Sequence, residues 1–261
     1  MEEVTTTKNF SPICIERGFT KRKNVYSRCI GDGIFQNLSF SPRRYNIDPK
    51  SPEYTDRHQK SYTLEINFWS MYADLPEEYF SDGRYYGNYG PVNFLGKRVN
   101  SLPFYGLRTD YQIMIEKGFD FLDSVNTQRK LLDAIDRLDG IEFGGLLPHR
   151  TELCAPYLIC GDWLSAYSRL TGQYTQSWLA FHSRNDHLRD TDPMQYLQKE
   201  AALEQKLEPS LYLLNIVLGK NKDKIVAYLR DCFCRNLHYA QKNNIAFSKD
   251  FAPLDFVKDC C

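Results

Sequence analysis

Residues 62–69 alternate between two sets of side chains, and this alternation constrains the fold more than any other feature of the chain. Tyr62, Leu64, Ile66 and Phe68 form one set, and Thr63, Glu65, Asn67 and Trp69 form the other. Successive side chains of a strand point to opposite faces, so the pattern predicts a β-strand with one buried face.

Two β-rich runs, Val25–Ile30 and Ile34–Phe40, precede this strand. The residues Gly31-Asp32-Gly33 separate them, a three-residue connection in which glycine readily supplies a positive φ. The two runs therefore predict a β-hairpin.

A short helix is predicted before the hairpin, with Ser11 as N-cap, Pro12 at the first helical position and Gly18 beyond its end. Residues 41–60 are rich in Pro, Arg and Asp without periodicity and predict a long surface loop. Residues 74–102 form a second irregular stretch, rich in Tyr and Gly.

Helical spacing replaces alternation in the rest of the chain. Residues 110–117 fit either a helix or a last strand, and we favour the helix. Thr127 is a suitable cap for a helix that carries Leu131, Leu132, Ile135 and Leu138. Further helical segments are predicted at 150–160, 162–170, 174–182, 194–207, 211–218 and 222–241.

Together these elements predict an α+β fold in which a short N-terminal helix and a small antiparallel β-meander are followed by an α-helical bundle. The chain has 261 residues, more than one typical domain. We therefore predict an α+β module at 1–125 and an α-helical module at 126–261.

Charge and composition narrow the classes of partner. Lys and Arg number 33, as do Asp and Glu, so the formal net charge of +0 predicts no nucleic-acid or membrane partner. No apolar run approaches ~20 residues, and the start of the chain lacks the basic and apolar regions of a signal peptide. We expect a cytosolic protein whose eight cysteines are mostly reduced and buried.

Residues 18–26, 33–40 and 62–68 resemble a bacterial family of uncharacterised proteins, the domain of unknown function numbered 4304. The resemblance starts with Gly18-Phe19-Thr20-Lys21 and covers roughly the first third of the chain. It implies a helix, a turn into a first strand and a small antiparallel sheet. It supplies no catalytic residues, and only fold-level analogy links such proteins to binding or neutralising toxins.

Aromatic residues within the second irregular stretch are the candidate binding site. These are Tyr79, Tyr85, Tyr86, Tyr89 and Phe94, spaced by glycines. Tyrosines with small spacers give a large contact area at low entropic cost, as binding surfaces do. The alternative is that these rings cover the sheet.

A second candidate site, for a metal or a general base, consists of His182, Asp186 and His187, because imidazole and carboxylate groups occur close together there. The alternative is a solvated loop between helices. Cys232, Cys234 and His238 carry zinc-binding groups, but Cys232 would point away from Cys234 on a helix, which favours buried thiols.

Other motifs favour structural roles. The basic residues Arg17, Lys21, Arg22, Lys23 and Arg28 are more typical of a solvated turn than of a phosphate-binding patch. The sequence contains no G-x-S-x-G elbow and no P-loop, and it predicts no cofactor. We therefore favour a non-enzymatic protein-binding module, of an immunity type by the analogy above. The alternative is a hydrolase or metal-dependent enzyme that uses the His182–His187 segment.

Overall fold

The computed structural model describes residues 7–23, 25–43, 61–81, 118–134 and 153–260. It confirms the α+β fold class, with one helix before an antiparallel sheet and several long helices after it. In chain order the elements are α1 (Thr7–Glu16), β1 (Thr20–Arg22), β2 (Val25–Ile30), β3 (Ile34–Arg43), β4 (Ser61–Ser70), α2 (Glu78–Ser81), α3 (Phe119–Ser124), α4 (128–134), α5 (Cys154–Ile159), α6 (Trp163–Thr191), α7 (Pro193–Leu218), α8 (Lys222–Lys242), β5 (Ala246–Phe247) and a C-terminal 3-10 helix (Asp255–Cys260).

The predicted hairpin is confirmed. Strands β2 and β3 pair antiparallel and close at Ile30 and Ile34. Gly31 and Gly33 have φ values of +54° and +107°. A Cβ atom at Gly31 would lie 1.7 Å from the carbonyl oxygen of Asn126, so only glycine fits there.

Strand β4 contains the alternating residues and pairs with β3 along its whole length, from Ile34 opposite Ser70 to Arg43 opposite Ser61. The predicted loop at 41–60 therefore starts too early, because residues 41–43 still belong to β3. The rest of that loop, 44–60, lies outside the described residues, as does the segment 110–117.

A fifth strand that the sequence did not predict joins the sheet. Strand β5 runs parallel to β2, with Arg28 opposite Ala246 and Cys29 opposite Phe247. The backbone N–H of Ala246 also donates to Thr20 Oγ1 at 2.8 Å. A strand of two residues is too short to show the alternation of side chains that predicts a strand, so no sequence pattern could indicate it.

Prolines shifted two predicted helix boundaries. Helix α1 begins at Thr7, so the predicted start at Ser11 is wrong and Pro12 lies inside the helix. The predicted segments 194–207 and 211–218 are one helix, α7, with Pro209 inside it. Burial on one face offsets the hydrogen bond that each proline removes, since Phe10, Cys14, Leu207 and Leu213 are all buried.

The segments 162–170 and 174–182 are likewise one helix, α6, which continues to Thr191. Asp192 alone separates α6 from α7, and the two helices pack as a hairpin. The helix predicted at 222–241 is confirmed as α8, and the helix capped near Thr127 is present as α4 within the described residues.

One large hydrophobic core joins the sheet to the helices. Phe233 of α8 stacks on Tyr72 after β4, with ring centroids 4.9 Å apart. The buried Asn236 amide donates to the carbonyl oxygens of Met71 and Ala73 at 2.9 and 2.7 Å. Both predicted modules thus contribute to this core, and their boundary at residue 125 stays a prediction.

A second, small cluster lies near the tip of the α6–α7 hairpin. Phe181, Leu188 and Tyr196 are buried there, with Trp178 and Leu203 packed against them. The base of the hairpin belongs to the large core through Leu170 and Leu213.

Candidate functional site

The predicted aromatic site is only partly covered by the structure. Tyr85, Tyr86, Tyr89 and Phe94 lie outside the described residues. Tyr79 is 2% exposed, and its ring lies 5.2 Å from that of Trp69. Tyr79 therefore contributes to the core and offers no surface for a partner.

His182, Asp186 and His187 lie inside helix α6, which corrects the loop expected at this segment. The Nδ1 atom of His182 is 3.5 Å from Asp186 Oδ1 and 3.3 Å from the hydroxyl of Tyr196. Residues five apart on a helix face different directions, and the exposed His187 is absent from these contacts. Of the three candidates, the structure brings His182 and Asp186 together and leaves His187 apart.

The cysteine candidates do not form a metal centre. Burial raises the pKa of Cys232 to about 11, so it is a thiol at neutral pH. Cys234 forms a disulfide with Cys260, whose Cα atom is 5.5 Å away, and His238 is exposed. Within the described ranges, no three His, Cys, Asp or Glu side chains group closely enough to hold a metal ion.

The disulfide corrects the expectation of reduced cysteines at two positions. The C-terminal 3-10 helix packs back on α8 and brings Cys260 to Cys234. Among the described residues, five other cysteines carry free thiols, and all except the half-buried Cys160 are buried.

Arg28 of the predicted basic turn is a buried structural residue. Its side chain donates from Nε to Gln36 Oε1 at 2.9 Å and from Nη1 to the carbonyl oxygen of Arg17 at 2.8 Å, and its Nη2 pairs with Asp123. Arg17 pairs with the same carboxylate at 3.3 Å. Arg28 therefore ties β2 to α3, and Arg17 ties the end of α1 to the same helix.

A different region, around Trp163, presents an apolar surface, which we call the Trp163 groove. Two cavities of about 420 and 400 Å³ share Trp163 as a wall. The first is lined by Gly161, Asp162, Trp163, Leu164, Tyr167, Val217, Leu218 and Lys220, and the second by Leu158, Ile159, Trp163, Lys222, Ile225, Val226, Leu229, Leu254, Asp255 and Phe256. Both volumes fall within the range of protein ligand pockets.

Three leucine and valine side chains of the groove are open to solvent. Leu164 is 78% exposed, Leu218 is 56% exposed and Val226 is 40% exposed. Single exposed apolar residues are normal on a protein surface. Here the three line two cavities that meet at one tryptophan, and such grouping is typical of interaction sites.

Two similar turns between helices build the first cavity. After α5, the amides of Gly161 and Asp162 donate to the carbonyl oxygens of Leu158 and Tyr157 at 3.2 and 2.9 Å. This pair of bonds is a Schellman motif with the left-handed Gly161, φ +79°, just beyond the helix. The Asp162 carboxylate then accepts from the amide of Ser165 at 3.1 Å and caps α6.

The second turn repeats this arrangement between α7 and α8. The amides of Lys220 and Asn221 donate to the carbonyl oxygens of Val217 and Ile216 at 3.1 and 3.4 Å, and Lys220 has a φ of +48°. Asn221 Oδ1 accepts from the amide of Lys224 at 3.0 Å and caps α8. The two turns fix the backbone around the first cavity.

Both acidic side chains of the groove have a partner within the chain. Asp162 caps α6, and Asp255 Oδ1 lies 2.6 Å from Lys258 Nζ. The hydrogen bond and the charge of Lys258 lower the pKa of Asp255. Asp255 thus has a cation partner within the chain, whereas Asp162 is hydrogen-bonded to a backbone amide and keeps its charge.

No local pattern of the sequence identifies the groove. Its residues come from α5, α6, α7, α8 and the C-terminal segment, so folding alone brings them together. One local signal is present: the large apolar residues Trp163 and Leu164 directly follow Asp162, a residue type that favours the N-cap of a helix.

Comparison with protein-family models, with curated proteins and with solved structures finds no match for this chain. The resemblance to the family numbered 4304 therefore stays a prediction. No helix in the described part of the chain is both long enough and apolar enough to cross a membrane.

Proposed function

We propose that this protein is a non-enzymatic binding module that recognises another protein through the Trp163 groove. The observation that carries the proposal is the junction of two apolar cavities at one half-buried tryptophan with exposed Leu164 and Leu218 beside it. Tryptophans in such positions are frequent hot spots of protein interfaces.

The two cavities suit side chains of a folded segment. A helix laid into a groove inserts apolar residues at i, i+3, i+4 and i+7, and each cavity accepts one or more such anchors. The turns that follow α5 and α7 keep the groove formed before the partner arrives, which reduces the entropic cost of binding.

A matched pair of variants on one helix tests the proposal. A displayed library of random peptides, about 16 residues or roughly four helical turns long, is selected against the wild-type protein. Selected peptides are then measured against Leu164→Ser and Leu179→Ser. Both leucines lie on α6, at 78% and 64% exposure, so neither change affects the core.

We expect the Leu164→Ser variant to bind the selected peptides at least tenfold more weakly, about 1.4 kcal/mol. The Leu179→Ser variant should bind them like the wild type. Selection that yields no peptide, or peptides that bind all three proteins equally, would contradict the proposal.

We further propose that the partner is a toxin and that the protein is cytosolic. The first rests on the resemblance of residues 18–26, 33–40 and 62–68. The second is supported by the five free thiols among the described residues, which are typical of a reducing compartment and outnumber the two cysteines of the Cys234–Cys260 disulfide, a bond that is rare there. If a toxin-like gene adjoins this one, co-expression should rescue growth from that toxin. The Leu164→Ser variant should fail to rescue, and rescue by both proteins would exclude the groove from that role.

A further inference from the structure

Among the described residues, one disulfide occurs beside five free thiols. It joins Cys234 on α8 to Cys260 on the C-terminal 3-10 helix, and both residues are half-buried. Disulfides that solvent reaches are more easily reduced than shielded ones and are often the regulatory ones. The Cys234–Cys260 bond is therefore open to attack by a small thiol.

The free thiols of the chain compete poorly for this bond. Burial raises the pKa of four of them, which are those of Cys14, Cys29, Cys160 and Cys232. The thiolate is the form that attacks a disulfide, so these four stay largely protonated and inert at neutral pH. A thiol couple in solution therefore controls the redox state of the bond.

The cross-link secures the segment that forms one wall of the second cavity. Leu254 and Phe256 line this cavity and come shortly before Cys260 in the chain. The amide of Leu254 donates to the Tyr72 hydroxyl at 2.8 Å, and the ring of Phe256 lies 5.6 Å from that of Tyr72. These noncovalent contacts can open, but the segment cannot leave α8 while the disulfide is intact.

The disulfide is also the strongest link between the end of this segment and α8. Asp259 forms an ion pair with Arg230, but both side chains are exposed, and exposed ion pairs contribute little. The six-residue 3-10 helix is a marginal element, because its hydrogen-bond geometry is poorer than that of an α-helix. Reduction should therefore let the helix leave α8 more often and take Phe256 out of the cavity wall.

We infer that the Cys234–Cys260 disulfide is a redox switch for the second cavity of the Trp163 groove. The oxidised protein keeps Leu254 and Phe256 in the cavity wall and binds the partner, and the reduced protein binds it more weakly. This inference rests on the proposed function and adds the regulation of its site. Disulfides in reducing compartments are usually transient and often redox-sensing, which agrees with the cytosolic location proposed above.

A small thiol such as glutathione supplies the two electrons for reduction. The thiolate of one molecule attacks a sulfur of the disulfide, which forms a mixed disulfide and releases the other protein sulfur as a thiolate. A second thiolate attacks the small-molecule sulfur of the mixed disulfide, frees the remaining protein sulfur and completes the oxidised small disulfide. The two protons that the small thiols lost convert the protein thiolates to thiols, and oxidised glutathione drives the same steps in reverse.

Hydrogen exchange tests the structural part of the inference without a partner. In excess reduced glutathione, the amides of Leu254 and Val257 should exchange faster than in the oxidised protein, and the amide of Leu188 at the hairpin tip should not change. Oxidised glutathione should restore slow exchange. A bond that survives excess reduced glutathione, or unchanged exchange after reduction, would overturn the inference.

The selected peptides test the control of binding. They are sorted by whether Leu164→Ser, in the first cavity, or Val226→Ser, in the second, weakens their binding. Reduction should weaken the Val226-dependent peptides about fivefold, because apparent affinity falls with the fraction of molecules in the binding-competent state. Peptides that depend on Leu164 alone should bind both redox forms equally.

Two cysteine variants serve as matched controls. Cys234→Ser should bind the Val226-dependent peptides as the reduced wild type does, with or without reductant. Cys160→Ser removes a half-buried cysteine that is free, and its response to reductant should equal that of the wild type. A response to reductant that persists in Cys234→Ser would overturn the inference.

The outcomes separate this inference from the proposed function. Selection that yields only Leu164-dependent peptides, or Val226-dependent peptides that bind both redox forms equally, would overturn the inference and leave the proposed function intact. An equal loss in both classes of peptide would indicate a general loosening of the fold and would also overturn the inference alone. The absence of any groove-dependent peptide would overturn both.

Discussion

Trp163 and Trp178 lie on the same helix, α6, and both are half-buried, but their surroundings differ. Fifteen residues separate them, roughly 22 Å along the helix axis. Trp178 lies among Phe181, His182 and Tyr174, with ring centroids 5.7 to 6.2 Å away. Trp163 instead forms the wall between two cavities.

The difference shows why residue type alone does not identify a functional side chain. At the tip of the hairpin, residues of α6 and α7 close over the apolar surface and form a small core. At the base, the Schellman turns and the C-terminal segment hold the backbones around Trp163 but leave its cavities open. The tip is thus structural, and the base presents the surface that we propose as the binding site.

The largest expected effect concerns the packed cluster at the tip of the hairpin. Phe181→Ala should destabilise the hairpin tip by about 3 to 4 kcal/mol, because Phe181 is 8% exposed and contacts Trp178 and Tyr196. Hydrogen exchange of the α6 and α7 amides near the tip measures the loss. Unchanged protection would show that the tip cluster is not packed as described, and peptide binding at the groove should not change.

The Cys234–Cys260 disulfide holds the C-terminal segment that lines the second cavity. Cys234→Ser releases the C-terminal segment that contributes Leu254 and Phe256 to the second cavity. The cross-linked loop spans 26 residues, for which the chain-entropy relation gives about 3.5 kcal/mol. We expect a lower melting temperature without reductant and a weaker peptide affinity.

Reduction of the wild-type protein is the control for that variant. Reductant should lower the wild-type melting temperature to that of Cys234→Ser and should leave the variant unchanged. Equal melting temperatures of the oxidised wild type and the variant would show that the cross-link does not stabilise the fold.

The sheet and α8 could be predicted from sequence, because their signals are local. The glycines at 31 and 33 identified the β2–β3 turn, and the spacing from Ile225 to Ala240 identified α8. The helix boundaries predicted at Pro12 and Pro209 were wrong, because packing outweighed the one hydrogen bond that each proline removes. The groove and β5 depend on residues that are distant in sequence, such as Trp163 and Phe256, which line one cavity, and no local pattern encodes this arrangement.

Removing a helix cap at the base or at the tip of the hairpin should reduce stability by similar, smaller amounts. Asp162 and Asp192 each accept a hydrogen bond from the amide three residues later, at 3.1 and 3.0 Å. Replacing either by Ala should cost about 1 kcal/mol of stability. Only Asp162→Ala should also weaken peptide binding, and a similar loss of affinity in Asp192→Ala would extend the binding surface to the tip.

The two left-handed residues of the base turns should respond in opposite directions. Gly161→Ala should destabilise by about 1 kcal/mol, because alanine disfavours positive φ while no atom lies within 4 Å of its Cβ position. Lys220→Gly should stabilise by about 0.5 kcal/mol, since glycine is preferred at this position of a Schellman motif. Urea unfolding measures both, and a stabilising Gly161→Ala would contradict the turn geometry.

The central claim is that Trp163, and not Trp178, meets the partner. The chain contains three tryptophans, so the indole N–H signals of the nitrogen-15-labelled protein can be assigned by single substitutions. Titration with a selected peptide should shift the Trp163 signal and leave the signals of Trp69 and Trp178 in place. A shift of the Trp178 signal without one at Trp163 would contradict the account.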